Sequence, residues 1–182
     1  MATGNSLTFD NIDQGNAYKL TFDKQTEDVF VGSMLFSYDK NPKQFVTYCV
    51  DLSHFITKGQ NYGVNVIQTD TLPSSNVYRL AGDIVDAGIG SANTANKAAA
   101  LQIAVWDEVY GKSGFALSGV SSTVKNLANQ YLTNGLKSSG NAIYFQENSG
   151  KGQSQITATP EPASYAVLGI GAFGIFFRRR RR

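Results

Sequence analysis

Residues 97–106 read Lys97-Ala-Ala-Ala-Leu-Gln-Ile-Ala-Val-Trp106, a run in which one uncharged polar side chain, Gln102, stands among eight apolar residues. Apolar residues on nearly every side of a helical period predict a helix buried in the interior rather than one with a broad wet face. A primary amide inside such a helix costs roughly 1 to 3 kcal/mol unless hydrogen-bond partners meet it. Gln102 therefore needs a partner from another element. The simplest one is the backbone of a neighbouring strand.

Outward from this helix the pattern is helical on both sides. Asn76–Ala87 carries a helical period stopped by Gly88, Thr94–Tyr110 forms the central helix stopped by Gly111, and Ser121–Leu136 forms a third with Ser121 or Ser122 as N-cap. Between Leu7 and Thr69 the period is that of strands, in segments such as Ala17–Asp23, Asp28–Asp39, Phe45–Leu52 and Asn61–Gln68, divided by polar turns such as Lys40-Asn-Pro-Lys43 and Lys58-Gly-Gln-Asn61. Strand character returns in Ala142–Gln146 and Ser154–Ala158. The expected fold is α+β, an antiparallel β-sandwich or barrel with an inserted helical subdomain. Its expected organisation is a folded domain over 1–147, a linker over 148–159 and a separate tail over 160–182. No internal repeat is present.

At 182 residues, the chain is long enough for one domain with a real core plus that tail. Its formal charge of +2 misleads, because five of the sixteen basic residues are Arg178 to Arg182, leaving eleven against fourteen acidic residues, a net −3. A body with no basic patch argues against a nucleic-acid partner. The single cysteine, Cys49, permits no intramolecular disulfide and no multi-cysteine zinc site, and the single histidine, His54, gives metal catalysis little to work with. No metal or cofactor is expected. The runs Gly88–Ala92 and Gly169–Gly174 do not lead from a strand into a phosphate-binding helix, and no Ser-His-Asp spacing, P-loop or dinucleotide fingerprint occurs.

The tail has three parts: Pro160-Glu161-Pro162, an uncharged stretch from Ala163 to Phe177, and the arginine run. Fifteen uncharged residues fall short of the ~20 that span a bilayer comfortably, although terminal arginines can snorkel and stay cytoplasmic. In all three parts the tail resembles the PEP-CTERM sorting signal of Gram-negative bacteria that make extracellular polysaccharide. The resemblance implies export, a short transmembrane helix that holds the protein in the inner membrane before processing, cleavage by an exosortase, and placement at the cell surface or in the extracellular matrix of a biofilm. A cleavable export signal is then expected ahead of the polar start Met1-Ala-Thr-Gly-Asn-Ser-Leu-Thr-Phe-Asp10.

In Phe45-Val-Thr-Tyr-Cys-Val-Asp-Leu52, alternation puts Val46, Tyr48, Val50 and Leu52 on one face and Phe45, Thr47, Cys49 and Asp51 on the other. Cys49 thus lies off the aliphatic face, which predicts that another element, the helical insertion, covers the mixed face and meets the thiol. A thiol held against a buried glutamine carboxamide can expel ammonia and leave an internal thioester, a stored electrophile.

The body resembles the thioester domains of bacterial surface adhesins on two motifs, Tyr48-Cys49 and Leu101-Gln102-Ile103-Ala104-Val105-Trp106, over roughly residues 30–144. It departs from many members in lacking a proline after the cysteine and in carrying Leu101 where threonine is common. The resemblance implies Cys49 as nucleophile and later leaving group, and Gln102 as acyl donor. Trp106, one turn from Gln102, would wall off water, and Asp51 would assist proton transfer or be solvated. The function so implied is covalent attachment to an amine- or hydroxyl-bearing surface partner, a polysaccharide or a protein. Such a domain reacts once and is not a turnover enzyme. The alternative is a non-reactive structural or binding protein of the extracellular polysaccharide matrix. A carbohydrate-processing enzyme would need paired carboxylates in a cleft, and no spacing suggests them.

Overall fold

A computed structural model describes residues 5–39 and 43–159. Four strands come first, β1 (Ser6–Phe22), β2 (Gln25–Tyr38), β3 (Gln44–Cys49) and β4 (Asn61–Gln68). Helices α1 (Val77–Gly88) and α2 (Ala95–Tyr110) follow, then the short β5 (Ala116–Ser118), α3 (Ser122–Gly135), β6 (Ala142–Glu147) and β7 (Gln155–Ala158). Each pairing is antiparallel. Strand β1 pairs with β2 along most of its length and with β4 at Ser6–Thr8, so the ladder β2-β3-β7-β6-β4-β1 closes on itself. The result is a six-stranded barrel with β5 added to the far end of β1 at Lys19–Thr21. Closure leaves open edges at β5 and along the first half of β2, which β3 does not reach.

Two register shifts let the long β1–β2 ribbon bend, one after Phe9 and one after Ile12. At the second, Gly15 lies opposite Gly32, and a Cβ on either would collide with a carbonyl of the facing strand, Val31 or Gln14. Glycine at both positions is what allows the backbones to approach there.

The helices begin and stop where side-chain chemistry directs. Asn76 accepts from the Tyr78 N–H at 2.9 Å, Thr94 from Lys97 at 3.4 Å and Ser121 from Val124 at 3.3 Å, each capping its helix. Gly111 ends α2 with φ at 71°, a conformation costly for other residues. Every residue of α2 from Ala98 to Trp106 is buried. The helix packs on β1, β2 and β3 along one side and on α1 and α3 along the other. Alanines at 98, 99, 100 and 104 keep that double contact close.

Two apolar clusters result. Phe45 and Cys49 join one with Phe9, Met34, Ile103 and Trp106, whereas Val46, Tyr48 and Val50 join the other with Ile84, Leu101 and Ile156. The alternation read in Phe45–Leu52 therefore holds through Val50, and Leu52, read on the valine face, joins the cluster of Cys49 instead because β3 ends at Cys49. The helical insertion covers its valine face as well as the face of Cys49.

Strand β1 starts at Ser6, beside the Leu7 at which the strand-like pattern begins, and Leu7 and Phe9 belong to the barrel cluster. Two features differ from the sequence reading. β5 is three residues long, too short for any period, and is held by pairing with β1 and by Leu117 packed against the core. The strand character read at Ser154–Ala158 is β7, which fills the barrel between β3 and β6, so the stretch expected as linker, 148–159, belongs to the folded body through Ala158.

On β7, Gln155 is fully buried with its Oε1 accepting from the Thr47 hydroxyl at 2.9 Å. Replacing Thr47 by valine strands that oxygen in an apolar interior. Thr47→Val is expected to lower unfolding free energy by about 1 to 3 kcal/mol, read as an earlier urea midpoint with unchanged slope.

Candidate functional site

Strand β3 is paired with β2 only up to Thr47, and with β7 at Tyr48 and Cys49. On the β7 side the chain continues to be held, since the Val50 N–H donates to the Ser154 carbonyl at 3.1 Å. On the other side no strand remains to take the peptide groups of Cys49. The carboxamide of Gln102 takes the strand's place. Cys49 N–H donates to Gln102 Oε1 at 2.9 Å, and Gln102 Nε2 donates to the Cys49 carbonyl at 2.7 Å. This reciprocal pair fixes which end of the amide is oxygen, because the N–H must meet an acceptor and the carbonyl a donor. Gln102 is 1% exposed, so both contacts are made out of water. The partner required by the sequence is thus the backbone of the chain's one cysteine.

The sulfur of Cys49 is buried as well. Its S–H donates to the Asp51 carbonyl at 2.9 Å, and the Asp51 N–H lies 3.2 Å from it. Burial pushes the thiol up to about 12, with the Asp51 carboxylate adding to the rise, while the Asp51 backbone contact and the Trp106 indole act to lower it. Burial wins because a thiolate in an apolar cluster loses its hydration. Trp106 sits one turn beyond Gln102 on α2, is 3% exposed, and packs edge-on against Phe115 with ring centroids 5.8 Å apart. Its indole N–H has no hydrogen-bond partner of acceptable geometry, although it is near enough to the sulfur to influence its ionisation.

Asp51 meets Cys49 through its backbone. Its carboxylate turns to the following loop, accepting from the Ser53 N–H at 2.8 Å and standing 2.8 Å from His54 Nδ1. A residue without a distinctive sequence signal, Tyr110, straps the same segment: its hydroxyl accepts from the Leu52 N–H at 2.8 Å and donates to the Val50 carbonyl at 3.3 Å. Only its place at the end of α2, two turns past Gln102, could have suggested it. Among the described residues no group of three or more His, Cys, Asp or Glu is arranged to hold a metal ion.

A groove of about 480 Å³ opens onto this centre. Cys49 and Trp106 lie in its wall with Phe9, Phe22 and Phe30, and Phe55, 63% exposed, stands at its mouth. Gln102 does not line it. Anything entering from solvent reaches the sulfur and the indole before it reaches the amide.

The C-terminal residues 158–182 match the PEP-CTERM protein-sorting motif. The tail is a sorting signal. It marks a protein exported and anchored at the cell envelope through its C-terminus and processed by an exosortase. Pro160, Glu161 and Pro162, and the uncharged stretch read as a transmembrane helix, lie outside the described residues. Among the described residues no helix is long and apolar enough to cross a membrane. The body is similar to the N-terminal thioester domain of fibronectin-binding protein SfbI from Streptococcus pyogenes, with a TM-score of 0.49 and 10% identity over 84% of this chain and 98% of that one. No curated protein matches the chain.

The free thiol has a signature in stability. Held at about 12 in the fold against an ordinary 9.0, it keeps its proton where the unfolded chain has lost it, so stability falls as pH rises from 9 towards 12. The loss is about 1.4 kcal/mol per pH unit within that window. Urea unfolding at pH 8 and pH 10 is expected to give a larger drop for the free-thiol protein than for Cys49→Ala, in which the surplus disappears.

Proposed function

We propose that the domain stores an internal thioester between Cys49 and Gln102 and uses it once, to attach covalently to an amine- or hydroxyl-bearing partner outside the cell. The observation that carries this reading is the seating of the Gln102 carboxamide on the backbone of Cys49 by two buried hydrogen bonds. The same contacts have chemical consequences. The Cys49 N–H polarises the amide carbonyl and is already aimed at the oxygen on which negative charge would gather during attack. The Cys49 carbonyl holds the amide nitrogen that must leave.

In the forming step, Sγ bonds to the Gln102 carbonyl carbon, the C–N bond breaks, and the thiol proton leaves with the nitrogen as ammonia. In the spending step a partner amine or hydroxyl bonds to that carbon, the C–S bond breaks, and the proton of the incoming group ends on the sulfur. Holding both groups in one place replaces a bimolecular encounter, which offsets the poor leaving ability of an amide nitrogen. The environment that raises the thiol also makes its thiolate a reluctant leaving group, which favours storage. One acyl group per chain means one event per chain, so the protein is a binder and not a turnover enzyme.

The sorting tail sets where this happens. We place the folded body at the surface or in the extracellular matrix of a Gram-negative cell, with a polysaccharide or protein of its surroundings as partner and the inner membrane as a station before tail removal. One observation favours a second reading, a non-reactive structural protein of that matrix. Both polar ends of Gln102 are satisfied by peptide groups, and the thiol is hydrogen-bonded to Asp51, so the centre is also complete as a piece of architecture.

Intact mass separates the two. The wild-type protein is expected to be lighter than its sequence by one ammonia, and to rise on incubation with methylamine to the sequence mass plus one methylene increment. Cys49→Ala is expected at its sequence mass throughout. A wild-type protein at its full sequence mass, unchanged by the amine, supports the matrix reading instead.

A further inference from the structure

Two features set Trp106 apart from an ordinary core tryptophan. Its indole nitrogen is a buried donor with no partner, one of four buried side-chain polar atoms left so among the described residues. An unmet N–H in an apolar interior costs roughly 1 to 3 kcal/mol, a standing cost that packing alone does not explain. The same ring shares the groove wall with Cys49 and follows Gln102 by one turn of α2. A phenylalanine would fill much of this space without carrying an unsatisfied group.

We propose that the Trp106 indole N–H is the leaving-group donor of the acyl transfer, positioned to hydrogen-bond the Cys49 sulfur when that sulfur takes up charge. The proposal rests on the thioester reading and assigns a residue to its spending step. As the partner nucleophile bonds to the Gln102 carbonyl carbon, the C–S pair moves onto sulfur, which a neutral thioester does not carry as charge beforehand. The Asp51 N–H, 3.2 Å away, is one donor for that charge, and Trp106 is the second. A donor unpartnered beside a neutral sulfur and engaged as the bond breaks lowers the barrier to release without loosening the store, because it acts where charge develops. It also stands in the wall past which the partner enters, so the approach of a nucleophile and the stabilisation of the departing sulfur occur on the same side. The influence of the indole on the ionisation of Cys49 agrees with this placement.

The test compares the wild type with Trp106→Phe and with protein whose indole is replaced by benzothiophene, which keeps the ring shape and lacks the N–H. The rate of methylamine capture, followed by intact mass, is expected to fall by about ten- to a hundredfold in both variants. Because the chain has one tryptophan, its single indole 15N–1H resonance reports the donor directly and, once methylamine has freed the sulfur, is expected to move downfield as alkaline pH ionises the thiol. A wall that only excludes water predicts the reverse for the smaller Phe ring, faster capture and faster hydrolysis, and no change for benzothiophene; either result overturns the assignment. If the wild type has its full sequence mass, the thioester reading falls by itself, and the donor is then tested on the free thiol. Alkylation of Cys49 by iodoacetamide slowed several-fold in the benzothiophene protein upholds donation to sulfur, and an equal or faster rate overturns it.

Discussion

A strand that loses its neighbour inside a protein leaves peptide groups with nowhere to turn, and at Cys49 a side chain supplies the missing neighbour. β2 parts from β3 after Thr47, and the Gln102 carboxamide restores the donor and acceptor that the ladder would have given. This single substitution of side chain for strand governs the placement of α2. The helix must run close enough to β3 for a three-bond side chain to reach its backbone, which explains the alanines around Gln102 and the burial of Ala98–Trp106 without a break. α1 and α3 then cover the side of α2 that faces away from the barrel.

The same geometry sets a tension at the sulfur. Burial stabilises the neutral thiol and any neutral ester of it, and penalises the thiolate that release requires. A site meant to store and then spend an acyl group needs both a dry setting and donors that act only at the moment of charge. The Asp51 N–H already lies 3.2 Å from the sulfur, the Trp106 indole N–H is unpartnered in the same groove wall, and that groove gives an entrant a path to both that does not pass the amide. Tyr110 contributes by fixing the turn at Val50 and Leu52, so that the Asp51 backbone stays under the sulfur.

Much of the fold could be read from local pattern. The three helices match their expected limits to within one residue because Asn76, Thr94 and Ser121 cap them and Gly88 and Gly111 fall at their ends. β5 escaped reading, and β7 was read as a strand but placed in a linker; both are short, and their pairing partners are distant in sequence. A four-residue strand placed between β3 and β6 has no signal of its own that marks it as central rather than connecting. Asp51 illustrates the same limit at the site. Its type suggested a carboxylate that either assists proton transfer at the sulfur or is solvated; its peptide group meets the sulfur, and its carboxylate turns to Ser53 and His54.

By itself the sequence determined the α+β class, the need of Gln102 for a partner, the two faces of β3 and the sorting tail, because periodicity, capping and a three-part address are local properties of the chain. Tertiary structure alone decided that the strands close as a barrel, that the amide seats on the peptide of Cys49, and that the indole of Trp106 is left without a partner beside the sulfur. Those outcomes depend on where β2 and β3 diverge and on how α2 packs across that gap. Strand closure and helix docking are set by the summed burial of residues far apart in the chain, a quantity no window of sequence contains.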